Sequence, residues 1–175
     1  MRGTASPGLI ILLAAAVTVS SACSSSQPAA PVSVASEDAG STSAPVGPQA
    51  AVSGQTLHIS TPDGSAAYTV DNLQPVPADA VIIPAKGTLY AVDVTILGES
   101  GITTVNGFYF VARADGGAVI APAVGAVNPG ITSGQLAEGQ KMAGHLAFDV
   151  APGQSIVQIT LRDPKGKPLA AWSVA

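Results

Sequence analysis

The chain has 175 residues, only 10 % of them charged, a net charge of −4 and a single cysteine. Seven scattered cations exclude a nucleic-acid-binding surface, which needs a concentrated basic patch, and one thiol excludes an internal disulfide. The part that folds must therefore hold together on its hydrophobic core alone.

Residues 1–22 have the three parts of a secretory signal: Arg2 in a short basic start, an apolar run from Leu9 to Val19, and small Ser20, Ser21 and Ala22. The run is too short to cross a bilayer core, which needs roughly 20 apolar residues. Together with Cys23 these residues resemble the lipobox of exported bacterial lipoproteins, with Ser20 where a leucine is usual. The resemblance implies that the Cys23 thiol takes a diacylglycerol. Residues 1–22 are then removed, and the chain is held to the cell membrane on its extracytoplasmic face. The competing reading, an ordinary signal peptide, leaves Cys23 as a reactive lone thiol in an oxidising compartment.

From 24 to 54 the composition is Ser, Ala, Pro, Gly, Thr, Gln and Val, with Glu37 and Asp38 the only charges and no Leu, Ile or aromatic residue. Such a segment buries too little apolar surface to offset the entropy of ordering, so residues 23–54 are expected to be a disordered tether. As a flexible chain it spans on the order of 30 Å, enough to clear the lipid headgroups.

Residues 55–175 have the size of one domain, and the apolar residues in them recur with a period of two. In 88–97, Tyr90, Val92, Val94 and Ile96 alternate with Leu89, Ala91, Asp93 and Thr95. In 141–150, Met142, Gly144, Leu146, Phe148 and Val150 alternate with Lys141, Ala143, His145, Ala147 and Asp149. Strands are also expected at 56–59, 66–73, 106–114, 118–122, 156–161 and 169–174. Between them, Thr61-Pro62-Asp63-Gly64, Ala114-Asp115-Gly116-Gly117 and Asp163-Pro164-Lys165-Gly166 supply Pro at a fixed φ or Gly at a positive one, as tight turns require. Closely spaced strands without an amphipathic helix predict an all-β antiparallel sandwich.

Several of these pieces carry a family resemblance. They are Pro84-Ala85-Lys86-Gly87 leading to Tyr90, Ala112-Arg113-Ala114-Asp115-Gly116, Ile131-Thr132-Ser133-Gly134, Glu138-Gly139-Gln140, Gly144, Phe148-Asp149-Val150 and the final run from Leu169 to Trp172. They resemble the small secreted immunogenic antigens of mycobacteria, the Mpt-sixty-three-like proteins. The resemblance spans the domain and implies an immunoglobulin-like β-sandwich. It also implies a host- or envelope-interaction role for which the fold is the only warrant. Its best-known members are freely secreted, whereas Cys23 and the tether imply retention here.

Catalytic chemistry finds little support. His58 and His145 are the only imidazole bases, and no serine stands in a Gly-X-Ser-X-Gly elbow, so no catalytic residue and no cofactor is expected. Asp93 and Asp149 fall on outward faces of two strands and read as solubilising residues rather than an acid/base pair. Met142 and His145 lie three apart in a strand and point to opposite faces, Met142 into the core and His145 to solvent. They do not chelate one ion, and no metal site is assigned, although a pairing of His58 with His145 across a sheet stays open. Among the aromatics, Phe108, Phe110 and Phe148 read as inter-sheet packing. Tyr109 is expected to point outward between two phenylalanines and is the candidate binding residue.

Three classes of function follow. The leading one is a non-enzymatic, lipid-anchored binding module contacting a protein or an envelope polymer. The others are a structural or accessory envelope protein and a carrier of a small ligand or metal. A carrier needs a cavity, which two sheets about 10 Å apart ordinarily fill with side chains.

Overall fold

Period-two alternation builds both layers of the molecule. The computed structural model describes residues 47–174; Cys23, the signal segment and the tether as far as residue 46 lie outside the described residues. The described residues form ten strands: β1 (Gln49–Val52), β2 (Thr56–Thr61), β3 (Gly64–Pro75), β4 (Thr88–Val105), β5 (Phe110–Ala114), β6 (Val119–Ile120), β7 (Gly134–Ala137), β8 (Lys141–Val150), β9 (Ile156–Arg162) and β10 (Pro168–Ser173). One sheet has the order β1-β10-β9-β5-β6. In the other, β2, β3 and β4 run side by side and β4 pairs with both β7 and β8. This is the antiparallel β-sandwich expected from the alternation, in the immunoglobulin-like form that the family resemblance implies.

The inward rows are those read from the sequence. Val92, Val94 and Ile96 of β4 and Leu146, Phe148 and Val150 of β8 are each at most 2 % exposed. They meet Ile159 and Leu161 of β9 and Ala170 and Trp172 of β10 across the interior. Trp172 is fully buried, and its indole N–H donates to the Gln55 carbonyl oxygen at 2.9 Å, which satisfies the one polar atom that the ring brings inside.

Three segments differ from expectation. The tether does not reach residue 54, because β1 pairs in parallel with β10 from Gln49↔Ala170 to Val52↔Ser173. An edge strand offers backbone hydrogen bonds to any extended chain, so a segment with no Leu, Ile or aromatic residue is recruited without burying much surface. The strand expected at 88–97 continues to Val105, pairing first with β8 and then, beyond a register shift near Gly98–Gly101, with β7. The third difference is at 106–114. The Asn106 side chain accepts from the Phe108 N–H at 2.9 Å and opens a 3-10 turn over Gly107–Tyr109, so the strand begins only at Phe110.

The face of β4 and β8 turned away from the main interior is also not simply solvated. Leu89 and Ala147 are buried there with Ala126 and Val127 in a second, smaller cluster. The segment 122–131 runs along the free edge of β8, where the Ala123 N–H donates to Ala147 and the His145 N–H to Pro129. Covering an edge in this way removes unpaired backbone groups from solvent. It also explains why His145, expected in solvent, is half-buried.

Asp149 is a clasp rather than a solubilising residue. Its carboxylate accepts from the Lys86 and Gly87 backbone N–H groups, each at 2.8 Å, tying the 86–87 turn to β8. Those two bonds, Lys86 first, hold the carboxyl below the usual carboxylate range. A depressed folded value means that the stabilisation is complete above the unfolded-chain value, near pH 4, and fades as pH falls through the lower folded one. Asp149→Asn is therefore expected to lower the denaturation midpoint at neutral pH. The gap from the unaltered chain should narrow on acidification to about pH 3; a gap that stays constant with pH would show that the charge plays no part.

Candidate ligand-binding cavity

Two of the turns legible in the sequence meet at one end of the sandwich. In the first, Pro62 and Asp63 close the β2–β3 hairpin, with Thr61 opposite Gly64. In the second, the Asp163 carboxylate accepts from the Lys165 and Lys167 N–H groups at 2.8 Å, while the Gly166 N–H donates to the Asp163 carbonyl at 2.9 Å. Between these turns, the end of β4 and the start of β10, a cavity of about 440 Å³ opens. That volume falls within the usual range for small-molecule sites, roughly 300–1,000 Å³.

The walls are mainly apolar, with Ile59, Ile102, Leu161 and Leu169 among the lining residues. Tyr68 and Tyr109 add two aromatic faces. Tyr68 is held by Phe110, their ring centroids 6.4 Å apart and their planes at 54°. Burial pushes the Tyr68 phenol up to about 12, so its hydroxyl keeps its proton at every physiological pH.

Two of the lining residues carry a buried polar atom that has no hydrogen-bond partner among the described residues. Thr103, 5 % exposed, has a hydroxyl oxygen with no hydrogen-bond partner among the described residues, and Arg162 has a buried Nε in the same condition. No carboxylate lies within salt-bridge distance of Arg162 among the described residues. Leaving a buried donor or acceptor unpaired costs about 1–3 kcal/mol, so finding both such atoms in residues that line one cavity is informative.

Tyr109 reaches this cavity by a different route from the one expected. The 3-10 turn breaks the strand alternation, so Phe108 is the side chain turned to solvent, 64 % exposed, while Tyr109 is half-buried on the cavity wall. Phe108 is thus not part of the inter-sheet packing, whereas Phe110 and Phe148 are. Thr103 and Arg162 were not singled out by sequence reasoning. The available signal for Thr103 was the alternation with Val105, visible only once β4 is carried past Gly98–Gly101.

The other candidates are dispersed. His58 Nδ1 lies 2.6 Å from Glu99 Oε1, while His145 Nδ1 lies 2.7 Å from Asp93 Oδ1 in the cross-strand pair of β4 and β8. The two histidines stand on β2 and β8, with β3 and β4 between them. Asp93 also accepts from the Asn72 side chain at 3.0 Å, so it and Asp149 are engaged separately and form no acid/base pair. Met142 packs against the main core. Among the described residues no group of three His, Cys, Asp or Glu side chains converges, and no helix is long and apolar enough to cross a membrane.

Fold and cavity together define an immunoglobulin-like sandwich with a small-molecule-sized hole at one end. The chain belongs to the family described as a domain of unknown function (DUF1942), whose model matches residues 48–170. Its fold is that of the secreted protein MPT63 from Mycobacterium tuberculosis, with a TM-score of 0.65 and 20 % identity over 74 % of this chain and 99 % of that one. It is also similar to the yjhA protein from Bacillus subtilis, with a TM-score of 0.53 and 16 % identity over 73 % of this chain and all of that one. No curated protein matches the chain. The resemblance to the mycobacterial antigen family drawn from the turn and strand residues thus extends to the whole sandwich.

Proposed function

We propose that the chain is a non-enzymatic, lipid-anchored extracytoplasmic binding module whose ligand occupies the cavity between the two turns. The observation that carries this reading is that two residues lining one mainly apolar cavity, Thr103 and Arg162, each hold a buried polar atom without a partner among the described residues. An envelope protein with a purely structural role would gain nothing from leaving such atoms unpaired around a hole, since filling it would be stabilising. No group of three His, Cys, Asp or Glu side chains converges among the described residues, and a mainly apolar cavity is the kind of site that binds a small molecule.

The location rests on residues 1–23. The signal run and Cys23 support export and lipidation, and the described similarity to a secreted protein agrees with export. The native chain is expected to partition into detergent with the membrane fraction, and Cys23→Ser to accumulate as precursor or soluble product. Equal release of both forms into the medium would refute the anchor. The binding reading is checked on the same preparation: native mass spectrometry of the chain from envelope extracts should show a bound small molecule that is lost on denaturation. A chain that neither carries nor takes up any small amphiphile sinks it.

A further inference from the structure

We infer that the ligand is a singly charged carboxylate on an apolar body, its head held by the Arg162 Nε–H and the Thr103 hydroxyl. The inference rests on the binding-module reading above and adds the chemistry of what is bound. A guanidinium N–H can only donate, so whatever satisfies Arg162 must present an acceptor. The Thr103 hydroxyl can donate as well, and Tyr68, whose hydroxyl has no hydrogen bond among the described residues and stays protonated, lines the same cavity. Donors around a mainly apolar hole call for a head rich in acceptors and a body without them.

Charge chooses among the acceptors. The lining holds Arg162 and Lys165 against Asp63 and Asp163, so the cavity itself is close to neutral. Asp163 is already occupied by the backbone of its own turn and does not reach Arg162. Arg162 therefore stands as a partly buried cation without a counter-ion among the described residues, which one carboxylate would supply. A doubly charged phosphate would bring excess negative charge against Asp63 and Asp163. A neutral alcohol would leave the guanidinium uncompensated.

The test measures binding of decanoate, 1-decanol and decyl phosphate at about pH 8 by calorimetry. The full chain carries Cys23→Ser, so that no detergent competes for the cavity. Decanoate is expected to bind at least about tenfold more tightly than decanol, the scale of one charge-assisted hydrogen bond, and also more tightly than decyl phosphate. Arg162→Met keeps the aliphatic stem and should bring decanoate to the level of decanol, with a much smaller loss for decanol itself. A cooperative denaturant melt of the variant certifies that it is folded. Should Arg162→Met fail to fold, Thr103→Val serves in its place, with a smaller selective loss for decanoate. If all three probes bind alike and neither substitution discriminates, the carboxylate inference is wrong while the cavity reading survives. Tighter binding of decyl phosphate overturns the choice of head group. If none of the probes binds, both readings fall.

Discussion

Phe148→Ala is expected to destabilise the domain by about 3–5 kcal/mol, the scale for removing a large aromatic from a core that cannot close over the gap. Phe148 is fully buried, stands opposite Tyr90 in the β4–β8 pair and lies in the inward row between Leu146 and Val150. The packed partners in the facing sheet are held by their own strands, so the ring leaves a cavity rather than a collapsed site. Denaturant melts of the variant and the unaltered chain give the difference directly. A loss below about 1 kcal/mol would mean that this face of β8 does not look inward, because a slip of one residue turns every side chain in a strand to the other side.

Gly64→Ala is expected to cost about 1–3 kcal/mol through overpacking and to weaken ligand uptake at the same time. Gly64 begins β3 beside the cavity-lining Asp63. A Cβ there would fall on the Ser100 carbonyl oxygen and within 2.7 Å of the Ile102 backbone nitrogen. Both obstacles are backbone, so neither can swing aside as a flexible side chain would. The crossing strand has the same constraint in return: Gly101, at φ +60°, would place its own Cβ on the Asp63 carbonyl. Gly116→Ala provides the control, since nothing lies within 4 Å of the added methyl, and its effect should stay within about 0.5 kcal/mol. Equal melts for the two variants would show that the β3–β4 crossing yields without cost.

The alternation of Leu146, Phe148 and Val150 with Ala147 and Asp149 was sufficient to place β8 to the residue, and that of Val92, Val94 and Ile96 to orient β4. Period two is a local property of an extended chain, and a half-buried sheet writes it into the sequence. The turns at Pro62-Asp63 and at Asp163–Gly166 were legible for a similar reason, since proline's fixed φ and an Asp side chain that caps its own turn act within a few residues.

Where two distant segments meet, the sequence carries no such mark. Recruitment of Gln49–Val52 depends on the free edge of β10, and the burial of His145 and Ala147 depends on the segment at 122–131 lying along β8. The strand alternation read through 106–114 gave the wrong outward residue, because Asn106 closes on the Phe108 N–H and turns Phe108 rather than Tyr109 to solvent. The sequence by itself thus determined the layers, most of the strands and the turn chemistry, along with the export and anchoring expectation centred on Cys23. The cavity was decided by tertiary structure alone. Thr103, Arg162, Tyr68 and Tyr109 come from four separate stretches of chain, and only the packing of one sheet against the other makes them the walls of one space.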